Sequence, residues 1–207
     1  MAVHSPTRLV ELAKHGSTDS VRRASDAGAI TAAQVNEIDE ATGTTALIKA
    51  SMKGQDGMVE LLLGLGADIN KKDKKGNTAL LVASRGGHKE VVELLLEHKD
   101  KEGKLLITDV DLRNKHPDPK LKEHEAKKGS TALMWACEYG HTQVAELLLG
   151  KGANVDVQDA YGVTALIAAS ATGLKEVVEL LLDPRWKVNK DLQDNDGHTA
   201  LMWAIME

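Results

Sequence analysis

Apolar positions in this chain fall in short bursts at helical spacing, separated by glycine-centred polar breaks. Between Gly129 and Val155 the pattern is clearest. An Ala-Leu-rich burst opens after Thr131, which is placed to cap a short helix by accepting a free backbone N–H on its hydroxyl. Gly140 can end that helix in a left-handed conformation. A second helix is predicted from about Thr142 to Leu149, with Val144, Leu147 and Leu148 on its apolar face. Gly152 ends it, and Ala153-Asn154-Val155 returns the chain to the next turn. Ala132 and Ala136 keep the first helix thin, which lets neighbouring layers approach closely.

The same punctuation recurs. Gly-x-Thr-Ala-Leu stands at Gly43–Leu47, Gly76–Leu80, Gly129–Leu133, Gly162–Leu166 and Gly197–Leu201, with spacings of 33, 53, 33 and 35 residues. Gly54, Gly87 and Gly173 match Gly140. Leu61–Leu63, Leu94–Leu96 and Leu180–Leu182 match Leu147–Leu149. A fixed period of this kind means an array of stacked layers, so function is sought on its surface.

These residues resemble the ankyrin repeat, a turn plus two helices per unit of about 33 residues. The resemblance is strong from Glu40 to Glu207 and weak back to Thr7, where Leu9, Leu12, Ala13 and Gly16 echo a first helix. Arg22 and Arg23 fall where the second helix of that segment would be apolar. The expected fold is an all-α ankyrin-repeat solenoid of stacked helix-turn-helix units with β-turn or hairpin fingers. Residues 1–39 are expected to form an N-terminal capping repeat. Residues 40–207 are expected to hold about four full repeats and a truncated last one. All five turns carry Ala (Ala46, Ala79, Ala132, Ala165, Ala200) where the family usually has Pro. Ile48, Leu81, Met134, Ile167 and Met202 replace a frequent His. Both changes preserve the helix.

The 53-residue spacing holds an insertion at about 99–128. Thr108-Asp109-Val110-Asp111 resembles a return segment and divides it into Lys99–Ile107 and Lys115–Lys128. The longer piece is expected to enlarge a projecting turn, either as a contact-bearing finger or as a plain solvated loop. Beyond the fifth turn, Leu201, Met202, Trp203, Ile205 and Met206 form an apolar end without a second helix to cover it. That suggests a fragment of a longer protein, a partner-covered end with self-association as one form of it, or a frayed terminus.

Composition narrows the partners. The net charge is −5, and no basic tract dominates, so neither nucleic acid nor an anionic membrane is expected. The single Cys137 cannot form an internal disulfide and fits a reducing compartment. There is no apolar run near the ~20 residues of a spanning helix and no basic-then-apolar leader at the start. An intracellular location, cytoplasmic or nuclear, is the expectation.

Candidate chemistry is sparse. His116-Pro117-Asp118 matches the J-domain tripeptide but follows a ragged loop rather than a basic helix. Asp194-Asn195-Asp196-Gly197 faintly resembles a calcium loop, but the twelfth position is Trp203 rather than Glu, so a turn is expected. The histidines have no metal spacing; His88 and His141 are expected to make local hydrogen bonds, and His124-Glu125 lacks a second His. Cys137 is expected to be a packed thiol. Trp135 and Trp203 are expected in the inter-repeat core, and Trp186 over the end of a second helix. No catalytic, cofactor or metal residue is proposed, and the chain is not expected to be an enzyme.

The resemblance implies a protein or peptide partner on the concave side, contacted by residues flanking the turn glycines and ending the first helices. Those are Thr42, Thr44, Met52 and Lys53 in the first full repeat, then Lys74, Lys75, Asn77 and Arg85 in the second. The third offers Lys127, Lys128, Ser130, Glu138 and Tyr139, and the fourth Tyr161, Val163, Ala171 and Thr172. Asn195, Asp196 and His198 belong to the fifth. Lys53, Lys74, Lys75 and Arg85 are basic, whereas Glu138, Asp194 and Asp196 are acidic, a modest dipole able to steer a partner. Both tyrosines fall at contact positions, and tyrosine is enriched in binding hot spots. Tyr139 has a competing role, packing on Trp135 one turn earlier. The alternative function is a regulatory ankyrin domain of a larger enzyme or channel continuing beyond residue 207.

Overall fold

The computed structural model describes residues 7–100, 102–107, 109–114 and 129–206. The Lys115–Lys128 insertion, with His116-Pro117-Asp118, His124, Lys127 and Lys128, lies outside the described residues. Two compact units are present. One holds residues 1–83 and 90–108, the other 84–89 and 109–207.

Among the described residues the structure is helical and carries no extended strand. The helices are α1 (Thr7–His15), α2 (Thr18–Asp26), α3 (Ala32–Val35), α4 (Ala46–Met52), α5 (Asp56–Gly64), α6 (Ala79–Gly86) and α7 (Lys89–Glu97). They continue as α8 (Ala132–Glu138), α9 (Thr142–Gly150), α10 (Ala165–Ser170), α11 (Lys175–Leu181) and α12 (Ala200–Met206). The threonine of every Gly-x-Thr-Ala-Leu run starts a helix as the pattern predicts. Thr45, Thr78, Thr131, Thr164 and Thr199 each accept the N–H three residues on, at 3.1–3.4 Å. Each hydroxyl satisfies one of the four N–H groups that a helix start leaves without a partner. Gly140 has φ +76° just past α8, the left-handed stop expected of it. The short α3 opens with a reciprocal box, Thr31 accepting from the Gln34 N–H and Gln34 from the Thr31 N–H.

Packing follows from thin helices. In the first unit α1 lies on α4 and α2 on α5, and each pair also packs within itself. In the second unit α8, α10 and α12 pile first helix on first helix, and α9 lies on α11. Ala46, Ala50, Ala132, Ala136, Ala165 and Ala169 are all buried, and their small side chains let first helices pack closely. On α9 the buried positions are Val144, Ala145, Leu148 and Leu149, and Leu147 is half-buried. The expected face of Val144, Leu147 and Leu148 is therefore corrected by a small rotation. A helix clamped between a first helix and the next second helix buries a broader stripe, which takes in Ala145 and Leu149.

Hydrogen bonds between return segments tie successive layers. The Asn36 side-chain oxygen accepts the Asp68 N–H at 2.7 Å in the first unit. In the second, the Asp111 carboxylate accepts the Asn154 N–H at 3.1 Å and Asp156 accepts the Asn189 N–H at 2.9 Å. Asp111 thus does what Asp156 does one repeat later, as its place in a return segment implies. Burial pushes its carboxyl up, and the Asn154 N–H opposes that shift.

Candidate functional site: the finger tips and first-helix ends

All but one of the described fingers are tight turns built on one acidic residue. Asp73, Asp159 and Asp194 each accept two backbone N–H groups on one carboxylate oxygen, from positions two and four residues on. Their own N–H donates to the carbonyl four residues on, and the turn glycine donates back to the aspartate carbonyl. A carboxylate is the right group because it presents two acceptor oxygens to several converging N–H donors. Asp39 holds a turn longer by one residue differently, accepting the Thr42 N–H and the Thr42 hydroxyl, each at 2.8 Å, and these hydrogen bonds hold its carboxyl below the usual range.

The insertion carries a further tip that the Gly-x-Thr-Ala-Leu pattern did not reveal. Asp100 accepts the N–H groups of Glu102 and Lys104 at 2.9 Å, and Lys99 bridges to Leu105. The missed signal is Asp-x-x-Gly itself, which Asp100–Gly103 shares with Asp73–Gly76, Asp159–Gly162 and Asp194–Gly197. In the remaining finger the acidic residue is replaced by Asn114, whose side-chain oxygen accepts the Ser130 N–H at 2.9 Å.

Adjacent fingers touch through their backbones. In the first unit the Lys74 N–H donates to the Thr42 carbonyl at 3.0 Å. In the second the Asn195 N–H donates to the Tyr161 carbonyl at 2.9 Å. The approach is close: a Cβ on Gly162 would stand 2.9 Å from the Asn195 nitrogen.

The predicted contact residues divide by exposure. Met52, Lys53, Lys74, Lys75, Arg85, Tyr139, Tyr161 and Thr172 are exposed, and Glu138, Val163 and His198 are half-buried. Two are corrected. Asn77 is only 7% exposed because its amide donates to the second Asp73 oxygen, and Ser130 is 2% exposed where it closes the Asn114 turn. Both serve the finger from inside rather than presenting a side chain. Thr44 is likewise buried. Thr172 turns its hydroxyl back onto the Ala168 and Ala169 carbonyls.

Around Tyr139 the structure assembles a cluster from residues far apart in sequence. The Arg85 guanidinium lies 4.8 Å from the Trp135 ring centroid and 5.3 Å from that of Tyr139. Tyr139 stacks on Trp135 at 6.5 Å and on His141 at 6.4 Å. His141 Nε2 sits 2.9 Å from the Arg85 carbonyl oxygen, so its hydrogen bond reaches a residue 56 positions away rather than the local partner expected of it. Tyr139 therefore does pack on Trp135, yet remains 47% exposed; Trp135 is buried.

The other chemistry resolves into scaffolding. Cys137 is fully buried, and that burial pushes its thiol up, away from the reactive thiolate. Asp194, Asp196 and His198 come close to one another. Asp194 already serves its turn, and its second oxygen accepts the Trp203 indole N–H at 2.8 Å. Burial raises the Asp194 carboxyl, but the N–H donors of His198, Trp203 and Asp196 outweigh it and hold it below the usual range. Trp203 is consequently not the core residue expected: it is half-buried, edge-on to His198 at 5.5 Å. Trp186 sits in a short 3₁₀ turn after α11, beneath the Arg185 guanidinium at 5.0 Å.

A family model described as ankyrin repeats (3 copies) matches residues 9–105, 65–159, 103–194 and 158–207. The chain belongs to the ankyrin-repeat family. Ankyrin repeats generally mediate protein–protein interaction, and the repeats themselves are generally non-catalytic. The chain is similar to mouse "Protein fem-1 homolog A-like", 35% identical over 88 residues, which are 40% of this chain and 13% of that protein. It is 44% identical over 92 residues to "Protein glp-1" of Caenorhabditis elegans, covering 39% of this chain and 7% of that one. It is 34% identical over 82 residues to "Palmitoyltransferase AKR1" of Lachancea kluyveri, covering 38% and 11%. The matched stretches thus span a small part of each relative. Among the described residues no helix is long and apolar enough to cross a membrane.

Proposed function

We propose that this ankyrin array is a non-catalytic interaction module that holds a protein or peptide on its finger tips and first-helix ends, centred on Tyr139 and Tyr161. The observation that carries this reading is the exposure of both tyrosines of the chain, 47% and 38%, one at the end of first helix α8 and the other on the finger that leads into α10. An amphipathic ring held by a rigid scaffold gives contact area at low entropic cost. Met52, Lys53, Lys74, Lys75, Arg85, Glu138, Val163, Thr172 and His198 are the further contact positions. In this reading residues 1–39 cap the array, residues 40–207 carry the repeats with an insertion at about 99–128, and the protein works inside the cell, in cytoplasm or nucleus.

Affinity capture tests it, with the whole chain and its Tyr139→Ala/Tyr161→Ala variant as baits and mass spectrometry as readout. A protein retained by the first and lost by the second supports the reading; equal retention by both refutes it.

A second reading is a regulatory array within a larger enzyme or channel. The length of the relatives favours it, one of them being named a palmitoyltransferase. A polypeptide that continues into a catalytic or pore domain supports it, and one that adds only repeats does not. Self-association is a third, supported by Leu201, Met202, Ile205 and Met206 of α12, which are 46–76% exposed. Sedimentation across a concentration series that finds a strict monomer removes it.

A further inference from the structure

Arg85 is exposed in the last turn of α6, where a cation suits the negative end of the helix. The Trp135 and Tyr139 rings occupy its face at 4.8 and 5.3 Å, both within the range of a cation–π contact. Among the described residues the guanidinium donates to no acceptor and pairs with no carboxylate. Its backbone carbonyl is pinned as well, by His141. The side chain thus lies against its rings, with its N–H edge unspent among the described residues.

A planar guanidinium bedded on aromatic rings keeps its five donors in the plane, where a carboxylate meets two of them side by side. Holding the fork in advance lowers the entropy lost when an anion binds. One cation matches one negative charge. Tyr139, exposed beside it, supplies the apolar contact that excludes water from such a pair.

We infer that the partner's anchoring group is a carboxylate, an Asp or Glu side chain that pairs edge-on with Arg85 beside Tyr139. This inference rests on the proposed reading of the Tyr139–Tyr161 surface and adds the chemical class of the ligand. The bound group forms a charge-assisted bidentate pair, the geometry in which Arg outperforms Lys.

Random-sequence peptides displayed on phage, selected against the whole chain, test it. The selected peptides are expected to share an Asp or Glu at one fixed position. Arg85→Gln is expected to weaken them at least tenfold, and Arg85→Lys to weaken them too, with the melting temperature of each variant checked first. Changing the peptide's acidic residue to its amide is expected to weaken binding to the natural chain but not to Arg85→Gln, which assigns the pair by coupling. Peptides without a shared acidic position, or with no coupling to Arg85, overturn the inference. If those peptides still lose affinity on Tyr139→Ala, the proposed surface survives alone. If they are indifferent to both tyrosines, or no peptide is selected, surface and inference fall together. A phosphoserine in place of the acidic residue that binds tighter overturns the single-charge match.

Discussion

Asn114 and Ser130 are joined by two hydrogen bonds across 16 positions: the Asn114 N–H donates to the Ser130 carbonyl at 3.2 Å, and the Ser130 N–H donates to the Asn114 side chain at 2.9 Å. The Gly129 N–H completes the clamp on the Asn114 carbonyl at 3.1 Å. This is the base of an Asp-x-x-Gly finger, with residues 115–128 standing where other fingers have two residues. Replacing 115–128 by a dipeptide is therefore expected to leave the array folded. Closure entropy grows slowly with loop length, so the change should stay within about 2 kcal/mol in urea unfolding. Loss of cooperative unfolding would contradict the clamp.

Leu148 is fully buried on α9 and Leu147 only half so. Leu148→Ala is expected to cost roughly 2–5 kcal/mol. Leu147→Ala should cost clearly less than its neighbour. Equal losses in denaturant unfolding would mean that the helix is rotated from the position described.

Gly162 and Gly103 both have positive φ, +76° and +80°. Only Gly162 has the next finger against it, 2.9 Å from a Cβ; a Cβ on Gly103 would meet nothing within 4 Å. Gly103→Ala is expected to cost about 1 kcal/mol, from conformation alone. Gly162→Ala carries the same conformational cost plus displacement of the Asn195 backbone, and its midpoint should fall further. Matching midpoints would mean that the fingers are not in contact.

Asp194 gains its N–H partners on folding, so its folded pKa lies below its unfolded one. Its stabilisation is present above about pH 4, the ordinary carboxylate value, and is lost as pH falls through the depressed folded value. Asp194→Asn can still accept an N–H, as Asn114 does, but carries no charge to lose. The variant is expected to lose less stability than the natural chain between about pH 5 and pH 2. Identical acid dependence in thermal melts would remove Asp194 from the turn's electrostatics.

How legible this was from sequence depended on how local each feature is. The threonine caps, glycine stops and helix pairs follow from contacts within a few residues, and the recurring run at Gly43, Gly76, Gly129, Gly162 and Gly197 exposes them. For Asn77 and Ser130 the resemblance implies contact positions, since they flank turn glycines. Their side chains or N–H groups instead complete the finger's own hydrogen bonds. Trp203 was expected in the core by analogy with Trp135, but its indole N–H finds Asp194 and stays at the surface. The Arg85 bed was out of reach, since Arg85 and Trp135 stand 50 positions apart and only the packing of repeats brings them together.

On the proposed surface Tyr139 is expected to face a partner, with its packing on Trp135 secondary. The most direct test measures Tyr139→Ala twice: thermal stability of the free chain, and affinity for the protein that the natural chain captures. The expected result is at least a tenfold loss of affinity with a stability change of no more than about 1 kcal/mol, as suits a half-exposed side chain. Unchanged affinity, or a loss of affinity no larger than the loss of folding accounts for, would contradict it.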